Sequence, residues 1–353
     1  MLLTCQAGFE SLFARELTEL HEIKVVEQGP GWVLIQPGAS RAVLMGTPGR
    51  NAGGESGVAR AGLAFPHLTL LAPEQRRGDS VNSLASSIVD FFLSSVRDER
   101  IDSSWPSVWL GPQERVGLGR RIGAVEDAFA ELLKKRVSRV AKLASPGGPR
   151  GVGPARGMFV FFPDFNRAFL ARDAFMHGPR RMADDPLAPS RSYLKVEEAY
   201  VALGREPQAG ETVCDLGAAP GGWSYSAVKR GAVVTAIDNG PLKGGALDHP
   251  RIEHRREDAF KFAPDSGRRF DWLFCDLVEE PHHVLRHIVE PWLERRWCRK
   301  FVVNLKFGRV DPIALLREVR APTSPMARYA SGVRIHHLYH DREEFTVMGE
   351  VNA

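Results

Sequence analysis

A chain of 353 residues is long enough for two domains with separate cores, and 43% hydrophobic with 25% charged content is that of an ordinary globular protein. No apolar run approaches the roughly 20 residues that span a bilayer, and the opening MLLTCQAGFESLFAREL lacks the basic start of a signal peptide. The four cysteines (Cys5, Cys214, Cys275 and Cys298) are widely spaced without a CxxC pair, which argues against a disulfide framework or a metal site and for a cytoplasmic setting. The net charge of +4 says little, but from Arg115 to Arg191 there are 15 Lys/Arg against 7 Asp/Glu, including Lys134-Lys135-Arg136, Arg139 and Arg180-Arg181. A phosphate backbone calls for such a local excess, although a solvated helix face with loop arginines would look the same.

In chain order, Leu2–Cys5 reads as a short strand, and Phe9, Leu12, Phe13, Leu17 and Leu20 fall at helical spacing. Lys24–Val26 and Trp32–Ile35 flank Gly29-Pro30-Gly31, a hairpin signal. Residues 47–57, rich in Gly and Asn, read as a loop. Amphipathic helices are predicted near Val81–Val96 and Gly123–Leu143, then a flexible basic loop over Ser145–Gly157, then a hairpin of Met158–Phe162 and Ala168–Arg172. The polar segment Arg180–Pro189 is the expected domain boundary. From Ser190 onward, apolar strands (Thr212–Leu216, Val233–Ile237, Trp272–Cys275, Phe301–Leu305, Glu344–Met348) alternate with helical stretches, the pattern of a doubly wound α/β sheet.

The most informative stretch is Val213-Cys214-Asp215-Leu216-Gly217-Ala218-Ala219-Pro220-Gly221-Gly222-Trp223, an apolar strand entering a glycine-rich turn with a helix (Trp223–Lys229) behind it. Glycines let backbone approach a ligand where a Cβ would block it, and the helix start offers free N–H groups. Asp238, at the end of the next strand, is placed to accept from both ribose hydroxyls of an adenosine. No Gly-Lys-Ser/Thr follows, which excludes a P-loop, and Gly217, Gly221 and Gly222 do not have the G-x-G-x-x-G spacing of a dinucleotide site. Asp258, after a third short strand (Arg251–His254), is placed to reach the adenine amine, although alone it reads equally as a helix cap.

Four segments end in a charge where such a sheet presents its ligand-facing edge: Ser192–Lys195, Phe274–Asp276, Val303–Lys306 and Asp341–Glu343. A lysine directly after an apolar strand is costly to bury without a carboxylate, so Asp276 and Glu343 are expected partners for Lys195 and Lys306. A ribose 2′-hydroxyl is a weak nucleophile that must lose its proton as it accepts a methyl group. Lys306 can take that proton only in its neutral form, which Lys195 and burial favour and the carboxylates oppose. No metal is needed. Exocyclic amine methylation calls for Asp/Asn-Pro-Pro-aromatic where this chain has Cys275-Asp276-Leu277-Val278-Glu279-Glu280, and carbon-5 methylation calls for a cysteine after proline, whereas Cys275 follows Phe274 and Cys298 follows Trp297.

Asp215-Leu216-Gly217-Ala218-Ala219-Pro220-Gly221-Gly222 resembles the S-adenosylmethionine motif of FtsJ-type ribose methyltransferases, and Lys195, Asp276, Lys306 and Glu343 match their Lys-Asp-Lys-Glu tetrad in type and order. The runs Ala188–Ala199, Asp238–Pro241, Glu257–Phe262, Cys275–Glu279, Asn304–Lys306 and Leu338–Glu344 closely resemble the M-type bacterial cytidine 2′-O-methyltransferases of large-subunit (23S) ribosomal RNA. That resemblance implies an α/β, Rossmann-like methyltransferase domain over 188–353. Ahead of it come a ferredoxin-like α+β subdomain (1–50) and a THUMP-type RNA-binding domain (51–180). It also implies S-adenosylmethionine contacts from Ser192, Gly217, Ala219, Pro220, Gly221, Gly222, Asp238, Asp258 and Asp276, with Lys306 as proton acceptor and ribosomal RNA as partner. Ala219 stands where enterobacterial relatives have Cys, and the chain after Lys306 (Phe307–Pro312) departs from the family pattern. The other reading is an RNA-binding or assembly factor whose methyltransferase fold is silent.

Overall fold

A computed structural model describes residues 1–38 and 62–353. The described residues fall into two compact units, one of residues 1–38 and 66–177, the other of residues 62–65 and 178–353. The loop expected at 47–57 and a boundary at residue 50 lie outside the described residues.

The first unit runs β1 (Leu2–Thr4), α1 (Glu10–Arg15, continued by a π-helical turn, Glu16–Leu20), β2 (Val25–Gly29), β3 (Trp32–Ile35), β4 (Leu68–Leu71), β5 (Glu74–Arg77), α2 (Val81–Ser95), β6 (Trp105–Leu110), α3 (Leu118–Ala141), β7 (Ala144–Pro146), β8 (Val152–Asp164) and β9 (Arg167–His177). One nine-stranded sheet joins them in the order β2-β3-β1-β4-β9-β8-β6-β7, with β5 also on β9. Strands from the predicted first subdomain (β1) and from the predicted second (β4) are therefore direct antiparallel neighbours, Leu3 opposite Thr69. Helix α2 starts where the Ser80 hydroxyl accepts the Ser83 N–H at 3.1 Å, and it buries Leu84, Ile88 and Phe92 on one stripe. Helix α3 begins at Leu118, ahead of the predicted Gly123, because Leu118, Ile122, Val125, Phe129 and Leu133 form one buried stripe while Gly119 and Gly123 face open space.

Of the loop expected at Ser145–Gly157, residues 147–151 lie between strands, but both ends of the segment are strand. Val152–Gly157 belongs to β8, paired with β9 from Val152–His177 onward, and the register shifts between Arg156 and Phe159. Gly157 sits where a Cβ would collide with the Pro106 carbonyl, so its glycine serves close strand packing, not chain flexibility.

The second unit runs α4 (Tyr193–Leu203), β10 (Thr212–Leu216), α5 (Gly222–Lys229), β11 (Val233–Ile237), β12 (Ile252–Arg255), β13 (Phe270–Cys275), β14 (Cys298–Lys306), α6 (Pro312–Arg320), β15 (Ala330–His336) and β16 (Glu344–Val351). Its seven-stranded sheet has the order β12-β11-β10-β13-β14-β16-β15, parallel from β12 to β14 and antiparallel at β16 and β15. This is the Rossmann-like doubly wound arrangement expected from the strand–helix alternation. The near-continuous apolar runs of β13 and β14 follow from burial of both sheet faces. Trp223, Tyr200, Trp272, Phe274, Val302 and Met348 form the core beneath the helices. Among the described residues no helix is long and apolar enough to cross a membrane.

Candidate active site

The turn after β10 is held from below and from the side. Asp215 is buried at the end of β10 and accepts the Ser224 hydroxyl at 2.6 Å, which ties the strand to α5. Burial pushes its carboxyl up to about 7. Gly217 (φ 76°) and Gly221 (φ 105°) take left-handed backbone conformations. At Gly217 a Cβ would also lie 2.7 Å from Leu277 Cδ2, and at Gly222 one would lie 2.9 Å from Ser192 Oγ. These are steric reasons for glycine that the spacing alone did not supply.

Asp238 follows β11 and braces the same turn. Its Oδ2 accepts the Ala219 N–H at 3.0 Å, and its Oδ1 accepts the Gly240 N–H at 2.7 Å. Each oxygen keeps lone-pair capacity, so this acceptor-only group still suits the two hydroxyls of a ribose. Ser192 lies against the turn, its hydroxyl 2.8 Å from that of Ser190 and its carbonyl accepting the Trp223 indole N–H at 2.9 Å. Asp258 is more exposed: one oxygen accepts the Phe260 N–H at 3.0 Å and the other lies 3.7 Å from Lys261. Asp258 thus closes its own turn, and no helix follows for it to cap. A glycine turn, a helix start and a bracing carboxylate fit an adenosine-containing cofactor.

Beside this turn, four charges form a closed ring. Lys306 Nζ donates to Asp276 Oδ1 at 2.6 Å and to Glu344 Oε2 at 2.8 Å. Lys195 Nζ lies 2.5 Å from Glu344 Oε1 and 3.7 Å from Asp276 Oδ2. Lys195 comes from the first turn of α4, not from a strand end as its sequence context suggested.

The acidic member opposite Asp276 is Glu344. The sequence reading placed Glu343 there, and the strand register explains the correction. Lys306 and Glu344 are Cα partners across β14 and β16, so their side chains share a face, while Glu343 precedes the strand. Glu343 is exposed, and its carboxylate lies over Gly308, where a Cβ would come within 2.7 Å of Oε2. Burial pulls the Lys306 ammonium down, but the charges of Asp276 and Glu344 outweigh it and hold the group above its usual value. Burial likewise opposes the charge of Glu344, yet Lys195 and Lys306 bring its carboxyl down to about 2. The carboxylates therefore win the competition at Lys306, and its resting form is the ammonium.

Two features escaped the sequence reading. Asn304 and Thr346, one pleat below Lys306 and Glu344, are fully buried and connect to the ring; alternation along β14 and β16 was the available signal. Glu198 of α4 is buried and accepts the N–H groups of Arg180, Tyr339 and His340 at 2.7–3.0 Å, which anchors the turn leading into β16.

Residues 188–306 match the FtsJ-like methyltransferase family. The ribosomal RNA large subunit methyltransferase M of Halorhodospira halophila is 42% identical over 202 residues, which cover 55% of this chain and 57% of that relative. The proteins of the same name from Chromohalobacter salexigens and Laribacter hongkongensis are 32% and 34% identical, over 98% and 92% of this chain and 96% and 88% of their own lengths. Identity sustained along almost the whole length shows that the chain belongs to the ribosomal RNA large subunit methyltransferase M family.

Proposed function

We propose that this methyltransferase modifies the ribose 2′-hydroxyl of a cytidine in 23S ribosomal RNA, with Lys306 as general base. The observation that supports this most is the Lys195–Glu344–Lys306–Asp276 ring beside the glycine turn. S-adenosylmethionine, the cofactor of this enzyme class, supplies an electrophilic methyl group. The contacts proposed for it are those of Ser192, Gly217, Ala219, Pro220, Gly221, Gly222, Asp238, Asp258 and Asp276. The carboxylates of Asp276 and Glu344 fix the Lys306 amine, and Lys195 balances their charge. With that cofactor bound, neutral Lys306 would take the hydroxyl proton at Nζ as the 2′-oxygen accepts the methyl group from the sulfonium. Because the resting form is the ammonium, a proton leaves Lys306 before each turnover. Positioning of the hydroxyl in line with the methyl supplies much of the remaining acceleration.

Cysteine chemistry finds no support: Cys275 is buried in β13 with its thiol pushed up to about 12 by burial, and Cys298 is buried at the start of β14. The test uses 23S RNA from cells lacking this methyltransferase and S-adenosylmethionine carrying a labelled methyl group. Label should appear in one cytidine, and nuclease digestion with mass analysis should recover 2′-O-methylcytidine. Label on a base, or none at all, overturns the proposal.

A further inference from the structure

Beneath the charged ring lies a second polar layer. Asn304 Nδ2 is 3.2 Å from Asp276 Oδ1 and 3.5 Å from Glu344 Oε2, the two oxygens to which Lys306 donates. Thr346 Oγ1 lies 2.7 Å from Asn304 Oδ1. The same hydroxyl lies 3.3 and 3.0 Å from the two carboxyl oxygens of Asp341, and Oδ2 of that carboxyl accepts the Leu338 N–H at 2.9 Å. Asn304, Thr346 and Asp341 are each at most 1% exposed.

Proton counting gives this chain a direction. Asp276 and Glu344, both bound to ammonium groups, only accept, so Asn304 turns its NH2 toward them and its carbonyl toward Thr346. The single hydroxyl proton of Thr346 goes to Asn304 along the shorter contact. Thr346 then faces Asp341 with a lone pair, and two buried acceptors at this separation repel unless Asp341 carries a proton. Burial, with the neighbouring Glu344 charge, raises the Asp341 carboxyl well above the usual range, which agrees with the count; Lys195 and the Leu338 N–H act in the opposite direction and Glu198 in the same one.

We propose that neutral Asp341, Thr346 and Asn304 form a one-way hydrogen-bond relay that positions Asp276 and Glu344 and eases loss of the Lys306 proton. The proposal rests on Lys306 being the base. When Lys306 is neutral, its two carboxylate partners have lost a cation, and the Asn304 amide still donates to both. Without that amide the carboxylates bear more unshielded charge toward Nζ, and Lys306 holds its proton more tightly. The groups facing Lys306 are Lys195 from α4, Cys275 and Asp276 at the end of β13, and Glu344 from β16; Asp341 lies behind Glu344. Asn304, Thr346 and Asp341 are positioning residues, since none of them reaches the reacting atoms.

The experiment measures single-turnover methylation of 23S RNA against pH, with calorimetric binding of S-adenosylmethionine as the control. Asn304→Ala and Thr346→Val should lower the rate about tenfold across the neutral range, as a one-unit rise in the Lys306 pKa requires, with cofactor affinity unchanged. Thr346→Ser should restore what Thr346→Val loses. Asp341→Asn, which keeps a donor toward Thr346, should restore what Asp341→Ala loses. A Thr346→Ser loss as large as that of Thr346→Val would reduce these residues to packing and overturn the relay, as would an Asp341→Asn rate like that of Asp341→Ala. Lys306→Ala separates the two levels: if it stays active, the assignment of the base fails; if it is inactive while Thr346→Ser fails to restore what Thr346→Val loses, only the relay fails.

Discussion

Lys306 is held by two carboxylates whose pull exceeds the effect of burial, so as the proposed base its neutral form has to be won from an ammonium at every turnover. Methyl transfer should therefore rise with pH through the neutral range in single-turnover assays; a flat profile would remove Lys306 from proton transfer. Lys306→Ala should cost about 10²–10⁴-fold in rate, as loss of a general base does. Lys306→Arg should fail as well, because a guanidinium keeps its proton near neutral pH, and near wild-type turnover would make Lys306 an electrostatic contact only. The adjacent glutamates give a sharper comparison. Glu344 bonds both lysines with a side chain only 4% exposed, so Glu344→Gln should slow transfer about tenfold or more through lost placement of both amines, an effect that exceeds the gain from easier loss of the Lys306 proton. Glu343→Gln should stay within about twofold of wild type, and the reverse ranking in the same assay would restore the sequence-based assignment.

Strand ends carry most of this chemistry, and they were also the most legible elements. β10, β11, β13 and β14 read from the sequence because both faces are buried and their apolar runs are bounded by turn residues. Gly217, Asp238, Asp276 and Lys306 were visible as the residues directly after or closing those strands. Lys195 and Glu344 were harder. The first lies in a helix whose start has no side-chain cap, and the second depends on an antiparallel register that a single chain segment does not reveal. Composition misled at Val152–Gly157, where glycine and proline serve a bulged strand. For the turn after β10, Asp238→Ala should remove a brace from Ala219 and Gly240 along with the proposed ribose acceptor, weakening S-adenosylmethionine binding tenfold or more. Unchanged affinity in a calorimetric titration would take Asp238 out of the cofactor site.

At the scale of the molecule, the basic excess divides into bound and free charge. Lys134 and Lys135 are exposed on α3, ahead of a break in the helix at Val137, whereas Arg136 is tied to Asp90 of α2 at 2.5 Å. Changing all three to Glu should weaken RNA affinity and flatten its salt dependence, with cofactor binding intact; an unchanged salt series would make them a solvated helix face. The second unit is discontinuous in the chain. Phe65, fully buried, packs edge-on against Phe345 at 5.4 Å, one residue from Glu344, and Ala64 accepts the His337 N–H at 2.8 Å. During synthesis those early residues wait for partners about 270 positions later, tens of seconds at ribosomal speeds of about 5–20 residues per second. Phe65 is made long before Phe345, so this part of the core closes only once β16 has been made.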